Sequence, residues 1–113
     1  MTGRLSIHVL DTSLGRPAEG LAYHLSRDGE PLLSGKTGPD GRADGPLLAG
    51  DALKPGLYEL LFEAGAYLQA TGVAVDALFF DRIPIRFRVM DPGQNYHVPL
   101  ILARYGYSTY RGS

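Results

Sequence analysis

Apolar and polar residues alternate along most of this chain, in short runs separated by turn residues. From Leu5 to Leu10, Leu5, Ile7 and Val9 fall on one side of a strand, Ser6 and His8 on the other. Leu21 to Ser26 reads as a second strand, and Arg27-Asp28-Gly29-Glu30 as a hairpin turn into Pro31-Leu32-Leu33. Thr37-Gly38-Pro39-Asp40-Gly41-Arg42 is a further tight turn. A strand from Leu57 to Glu63 puts Tyr58, Leu60 and Phe62 on one face. Ile83 to Val89 is the cleanest strand: Ile83, Ile85, Phe87 and Val89 oppose Arg86 and Arg88. Asp91 to Asn95 turns the chain, Tyr96 to Ala103 returns as a strand, and Tyr105 to Tyr110 makes a last one. Only Ala64 to Gly72 reads as helix, with Gly72 as its stop. Seven to eight strands with one short helix predict an all-β, two-sheet β-sandwich.

Composition narrows this picture. A length of 113 residues fits a single domain, 1–113, able to bury a core without staples. The fifteen glycines and eight prolines fall mostly between the apolar runs, where turns belong. A net charge of -1 with no long basic run argues against a nucleic-acid surface and a polybasic membrane patch. The absence of cysteine excludes disulfides and thiolate metal sites and permits a reducing compartment. Neither a signal-type apolar stretch after Met1-Thr2-Gly3-Arg4 nor a run of the ~20 apolar residues that span a bilayer is present, so a cytoplasmic protein is expected.

Three histidines carry the candidate chemistry. His8 lies opposite Leu5, Ile7 and Val9, and His97 opposite Tyr96, Val98 and Leu100, so both imidazoles point away from the core. His24 alternates with Tyr23 and Leu25 in the same way, and orientation alone does not choose among the three. Each taken singly reads as a solvated or hydrogen-bonded surface residue. Arg42 ends an Asp-Gly turn; its guanidinium offers a planar fork of donors to an oxygen-rich anion, or is simply solvated. Tyr107 to Ser113 keeps strand-forming residues close to the end, where chains ordinarily fray.

Four segments together resemble the 5-hydroxyisourate hydrolase family: Leu5-Ser6-Ile7-His8-Val9-Leu10-Asp11-Thr12 with Gly15 and Pro17-Ala18; Thr37 to Arg42; Tyr96-His97-Val98-Pro99-Leu100; and Tyr107 to Ser113. The terminal Tyr110-Arg111-Gly112-Ser113 distinguishes that family from the transthyretin hormone carriers, which share its fold. Ile101-Leu102-Ala103-Arg104, Asp81 after Phe79-Phe80, and the stretch from Val73 to Leu78 depart from the family pattern at a bend and a loop. The resemblance implies a transthyretin-like (prealbumin-like) sandwich and a homotetramer, a dimer of dimers, with active sites in the groove between dimers. It implies His8, Arg42 and His97 as catalytic core, with Tyr110, Arg111, Gly112 and Ser113 closing on the substrate. No metal or cofactor is implied, and scattered histidines without matching carboxylates make a poor zinc set.

The implied reaction opens the six-membered ring of 5-hydroxyisourate, a product of urate oxidation in purine degradation, to give 2-oxo-4-hydroxy-4-carboxy-5-ureidoimidazoline. A histidine suits the base that activates water, with His97 and His8 both open to that role. Arg42 would position substrate and offset developing charge. Ser108 and Ser113 lack the spacing of a nucleophilic triad. The alternatives are a transthyretin-like module that binds a small ligand without catalysis, a β-sandwich adhesion module, and an enzyme for another cyclic ureide.

Overall fold

The structure is a computed structural model that describes residues 3–112. Nine strands are found among them: β1 (Arg4–Asp11), β2 (Arg16–Pro17), β3 (Ala22–Arg27), β4 (Glu30–Lys36), β5 (Leu48–Ala49), β6 (Gly56–Phe62), β7 (Ile83–Val89), β8 (Tyr96–Ala103) and β9 (Gly106–Thr109). One sheet runs β2-β1-β8-β9, with β5 also on β1; the other runs β4-β3-β6-β7. All pairs are antiparallel except β1 with β8. The sandwich expected from the alternation is therefore present. The two strands that exceed the expected count, β2 and β5, are two residues long and carry no readable period.

The alternation sets the core. Leu5, Ile7 and Val9 of β1 and Val98, Leu100 and Leu102 of β8 line the inner face of the first sheet. Leu25, Tyr58, Leu60, Phe62, Ile83 and Val89 line that of the second, and all are buried. Each such side chain contributes about 1.5–3 kcal/mol on leaving water. Register keeps the polar partners outside: a slip of one residue would drive Ser6, His8 and His97 into the core. The hairpin turn falls at Asp28-Gly29, with φ of 51° and 84°, as its Asp-Gly signal predicts. Pro31 sits on edge strand β4 next to a register shift, where its missing N–H costs no ladder bond in the sheet interior.

Helix α1 spans Ala64–Ala70. Gly72 is its stop, as expected: after the Thr71 cap it takes a φ of +109°, its N–H donates to the Gln69 carbonyl at 3.0 Å, and the Val73 N–H donates to the Leu68 carbonyl at 3.0 Å. Buried Tyr67 ties the helix to the first sheet, its hydroxyl donating to the Asp11 Oδ2 at 2.6 Å; Asp11 Oδ1 accepts the Leu14 N–H at 3.1 Å. Burial first, and the Asp11 carboxylate second, push the Tyr67 phenol well above its usual range, so it stays a donor at every working pH. Among the described residues no helix is long and apolar enough to cross a membrane.

Candidate active site

The outer face of the first sheet gathers the residues singled out above. β1 and β8 run side by side in parallel, with Ser6 opposite His97 and His8 opposite Pro99. Both imidazoles lie on this face, half-buried. The Ser6 Oγ and the His97 Nδ1 are 2.8 Å apart.

Arg42 arrives from the outer edge of β1. That edge is occupied by β5 near Leu5 and by β2 near Leu10, and the Thr37–Arg42 turn fills the interval as an antiparallel bridge between His8 and Arg42. Buried Thr37 anchors the turn: its hydroxyl donates to the Ala18 carbonyl at 2.6 Å and accepts the Leu21 N–H at 3.0 Å. The Asp40 carboxylate accepts the Arg42 N–H at 3.0 Å, closing the tight turn. Gly41 then passes its carbonyl to the Val9 N–H at 2.8 Å. It does so at a φ of +76°, and a Cβ there would run into the Val9 carbonyl, so the close approach needs glycine. The His8 Nε2 lies 3.1 Å from the Asp40 carbonyl. A carbonyl only accepts, so this nitrogen carries the proton and Nδ1 is left open.

The tail arrives from the other side. Pro99 has no N–H to give to the strand beside it, and its carbonyl takes the Thr109 hydroxyl at 2.8 Å. β9 stops at Thr109, and the chain rejoins β8 three residues on, where the Gly112 N–H donates to the His97 carbonyl at 2.7 Å. Gly112 lies flat against the imidazole; a Cβ built on it would stand 2.6 Å from the His97 Cδ2. Arg111 faces away from the histidines. Its guanidinium lies 4.3 Å from the centre of the Tyr96 ring and donates to the Gln94 Oε1 at 3.0 Å and the Asn95 carbonyl at 2.9 Å. It is a clasp that fixes the tail, by a cation–π contact and two hydrogen bonds. Tyr110 is 61% exposed and borders a groove of about 260 Å³ between the tail and β7. Ser113 lies outside the described residues.

His8, Arg42, His97 and Gly112 thus come together, while Arg111 does not face them. Burial, then Arg42, then His8 lower the His97 pKa, holding that imidazole neutral near pH 7. A neutral imidazole beside a permanent cation is equipped to take a proton from water and to stabilise an oxyanion. The same cation spoils the set as a metal cradle, and among the described residues no three His, Cys, Asp or Glu side chains gather as ligands. In a single chain the face is open. A larger cleft, about 610 Å³, lies on the opposite flank between α1 and the Arg16–Gly20 turn and touches neither His8 nor His97.

The remaining histidine has a different setting. On the outer face of the second sheet, the His24 Nδ1 is 2.7 Å from the Ser34 Oγ and its Nε2 3.0 Å from the Glu63 Oε2. Arg82 grips the same carboxylate with two bonds, of 3.1 and 3.0 Å, and holds Glu63 below the usual carboxylate range. Both His24 nitrogens are engaged.

Two participants escaped the sequence reading. Ser6 was visible as an outward residue, but its partner lies 91 positions away and only the β1–β8 register brings them together. The Asp40 carbonyl is backbone, which no residue identity marks.

The model of the HIUase/Transthyretin family matches residues 5–112. A 5-hydroxyisourate hydrolase 2 of Rhizobium meliloti (strain 1021) is 50% identical over 99% of this chain and 98% of its own length. A solved 5-hydroxyisourate hydrolase of Klebsiella pneumoniae superposes with a TM-score of 0.85 at 40% identity, over 98% of this chain and 100% of that one. A crystal structure of (S)-allantoin synthase superposes with a TM-score of 0.94 at 39% identity; it covers 99% of this chain, which spans 44% of that longer one. The chain therefore belongs to the HIUase/Transthyretin family, among its hydrolases.

Proposed function

We propose that this protein hydrolyses 5-hydroxyisourate to 2-oxo-4-hydroxy-4-carboxy-5-ureidoimidazoline in urate degradation. The observation that carries this reading is the pair of bridges His8↔Arg42 and His97↔Gly112, which draw four sequence-distant residues onto one sheet face. The Rhizobium meliloti relative, named for that hydrolysis, supports the substrate. In the proposed reaction a water molecule attacks a ring carbonyl carbon and gives its proton to the open Nε2 of His97. His97 is the base because its pKa is lowered and its ring is gripped on both flanks. Arg42 holds the substrate oxygens and offsets the charge on the attacked oxygen. The ring C–N bond then breaks, and the departing nitrogen receives the proton back from His97, while His8 orients water through its Nδ1. Gly112 shapes the wall beside His97, and the family resemblance assigns Tyr110 and Ser113 to the substrate as well.

The reading includes one catalytic domain over residues 1–113 and a homotetramer of paired dimers. It is supported by the openness of the His8–His97 face in a single chain and by half-buried Leu10 and Ile101 on that face, which a second copy would cover. A chain without cysteine suits a reducing compartment, and we propose that it works in the cytoplasm.

The test generates 5-hydroxyisourate in situ from urate with urate oxidase and follows its absorbance. Sub-stoichiometric protein is expected to accelerate the decay, with and without EDTA. Decay at the rate of the blank would refute the reading.

A further inference from the structure

The His97 imidazole is held at two of its edges, Nδ1 and Cδ2, and its own backbone is tied as well. Ser6 meets Nδ1 at 2.8 Å, Gly112 lies on the Cδ2 side, and the backbone carbonyl of His97 takes the Gly112 N–H at 2.7 Å. Nε2 has no hydrogen-bond partner among the described residues, yet no buried side-chain nitrogen or oxygen there lacks one. Nε2 therefore reaches the surface of the groove, where substrate and water would sit. The Ser6 Oγ has His97 as its side-chain partner and lies on the floor of the same face.

We propose that Ser6 is a positioning residue for the hydrolysis: its hydroxyl accepts the Nδ1–H of His97 and so presents the bare Nε2 to water. A hydroxyl can donate or accept, and two considerations fix the direction. An imidazole that takes a proton on Nε2 becomes an imidazolium with two N–H donors, and a Ser6 that accepts stays correctly bonded before, during and after the transfer. A Ser6 that donates would have to reverse at each turnover. The nearby Arg42 cation also favours a lone pair, rather than an N–H, on the side of the ring that faces the groove. The proton inventory closes without Ser6: the water proton goes to Nε2 and from there to the departing ring nitrogen, and the Nδ1–H never moves.

This inference rests on the hydrolase reading for its kinetics alone. Its tautomer part is measured on the resting protein by ¹⁵N NMR of His97 above the pKa of that ring. The expected result is a protonated Nδ1 and a bare Nε2 in the natural protein and in Ser6→Thr. In Ser6→Ala the population should move toward Nε2–H, the form that free histidine prefers in water. The kinetic expectation is a kcat about tenfold lower in Ser6→Ala, from loss of one orienting hydrogen bond. KM should be unchanged, because Ser6 does not reach substrate. Ser6→Thr should restore the rate. A natural protein with Nε2–H, or a Ser6→Ala variant with unchanged kcat, overturns the proposal. A natural protein that is inactive but carries the Nδ1–H bond to Ser6 would instead refute the hydrolase reading and leave the tautomer assignment standing.

Discussion

The two outer faces of this sandwich carry the same pair of side chains and put it to different ends. On each, a histidine Nδ1 meets a serine hydroxyl across neighbouring strands: His97 with Ser6 at 2.8 Å, and His24 with Ser34 at 2.7 Å. What separates them is the other nitrogen. The His24 Nε2 is tied to Glu63, which Arg82 also holds, so the ring is one member of a closed ion network. Among the described residues the His97 Nε2 has no partner, and the charge that acts most on that ring is the cation Arg42. A hydrogen-bonded histidine on a strand is therefore no sign of a site; a histidine with one nitrogen held and one left free is a better one.

The sharpest way to break this contrast is to replace each imidazole. His97→Asn is expected to lower kcat/KM by about 10²–10⁴-fold, the usual worth of a positioned base. His24→Asn should leave it unchanged, with circular dichroism confirming that both variants fold. The surviving activity of the natural protein should fall only below pH 6.5, because the His97 pKa is lowered from that value and its neutral form is the active one. An acid limb above pH 6.5 would assign the base to another group.

A smaller loss is expected from the tail. Deleting residues 110–113 removes the Gly112 bond to the His97 carbonyl and the Arg111 clasp on Tyr96, but no buried core side chain. kcat/KM should drop on the order of 10²-fold, the cost of reacting groups misplaced by about 1 Å, with a modest fall in melting temperature. Arg111→Ala alone should reproduce much of this loss with KM little altered, since Arg111 points away from the histidines. A rise in KM without loss of kcat would return Arg111 to the substrate.

The smallest effect belongs to the second face. Glu63→Gln weakens the bonds to His24 and Arg82, an exposed network that solvent screens heavily, and should leave kcat/KM untouched. The Glu63 pKa is lowered, so its contribution is present above the unfolded value near 4.5 and vanishes as pH falls through the folded one. The melting temperatures of Glu63→Gln and the natural protein should therefore differ at pH 7 and converge once the pH falls below the lowered Glu63 value. A constant gap would show that the charge is not what the network uses.

Much of the fold was legible because its strands are half-buried, and half-burial writes alternation into the sequence. β7 and β8 fell where Ile83–Val89 and Tyr96–Ala103 predicted them. β2 and β5 were illegible: two residues have no period, and their place on the edge of β1 is set by tertiary contact. The helix stop was legible because Gly72 takes the positive φ that ends the helix, and the helical residues stop at Ala70, ahead of the Thr71 cap. For the site, alternation sent His8 and His97 outward but did not separate them from His24. The separation needed the partners of each second nitrogen. The orientation of Arg111 was equally hidden, since it follows from where Gly112 rejoins β8.

The parallel seam of β1 and β8 also governs how the chain comes together. Ser6 and His97 close a loop of 91 positions, an entropic cost of about 4 kcal/mol on a logarithmic scale, against about 1 kcal/mol for a four-residue hairpin such as that between β3 and β4. The second sheet is built largely from shorter connections and can be in place before this closure happens. The groove floor therefore depends on the pairing of strands far apart in the chain rather than on any local segment. Truncating substitutions on the inner side of that seam, at Ile7 or Val98, are expected to act through stability, because both side chains are buried in the core. Those on its outer side, at His8 or His97, are expected to lower activity while the polypeptide stays folded.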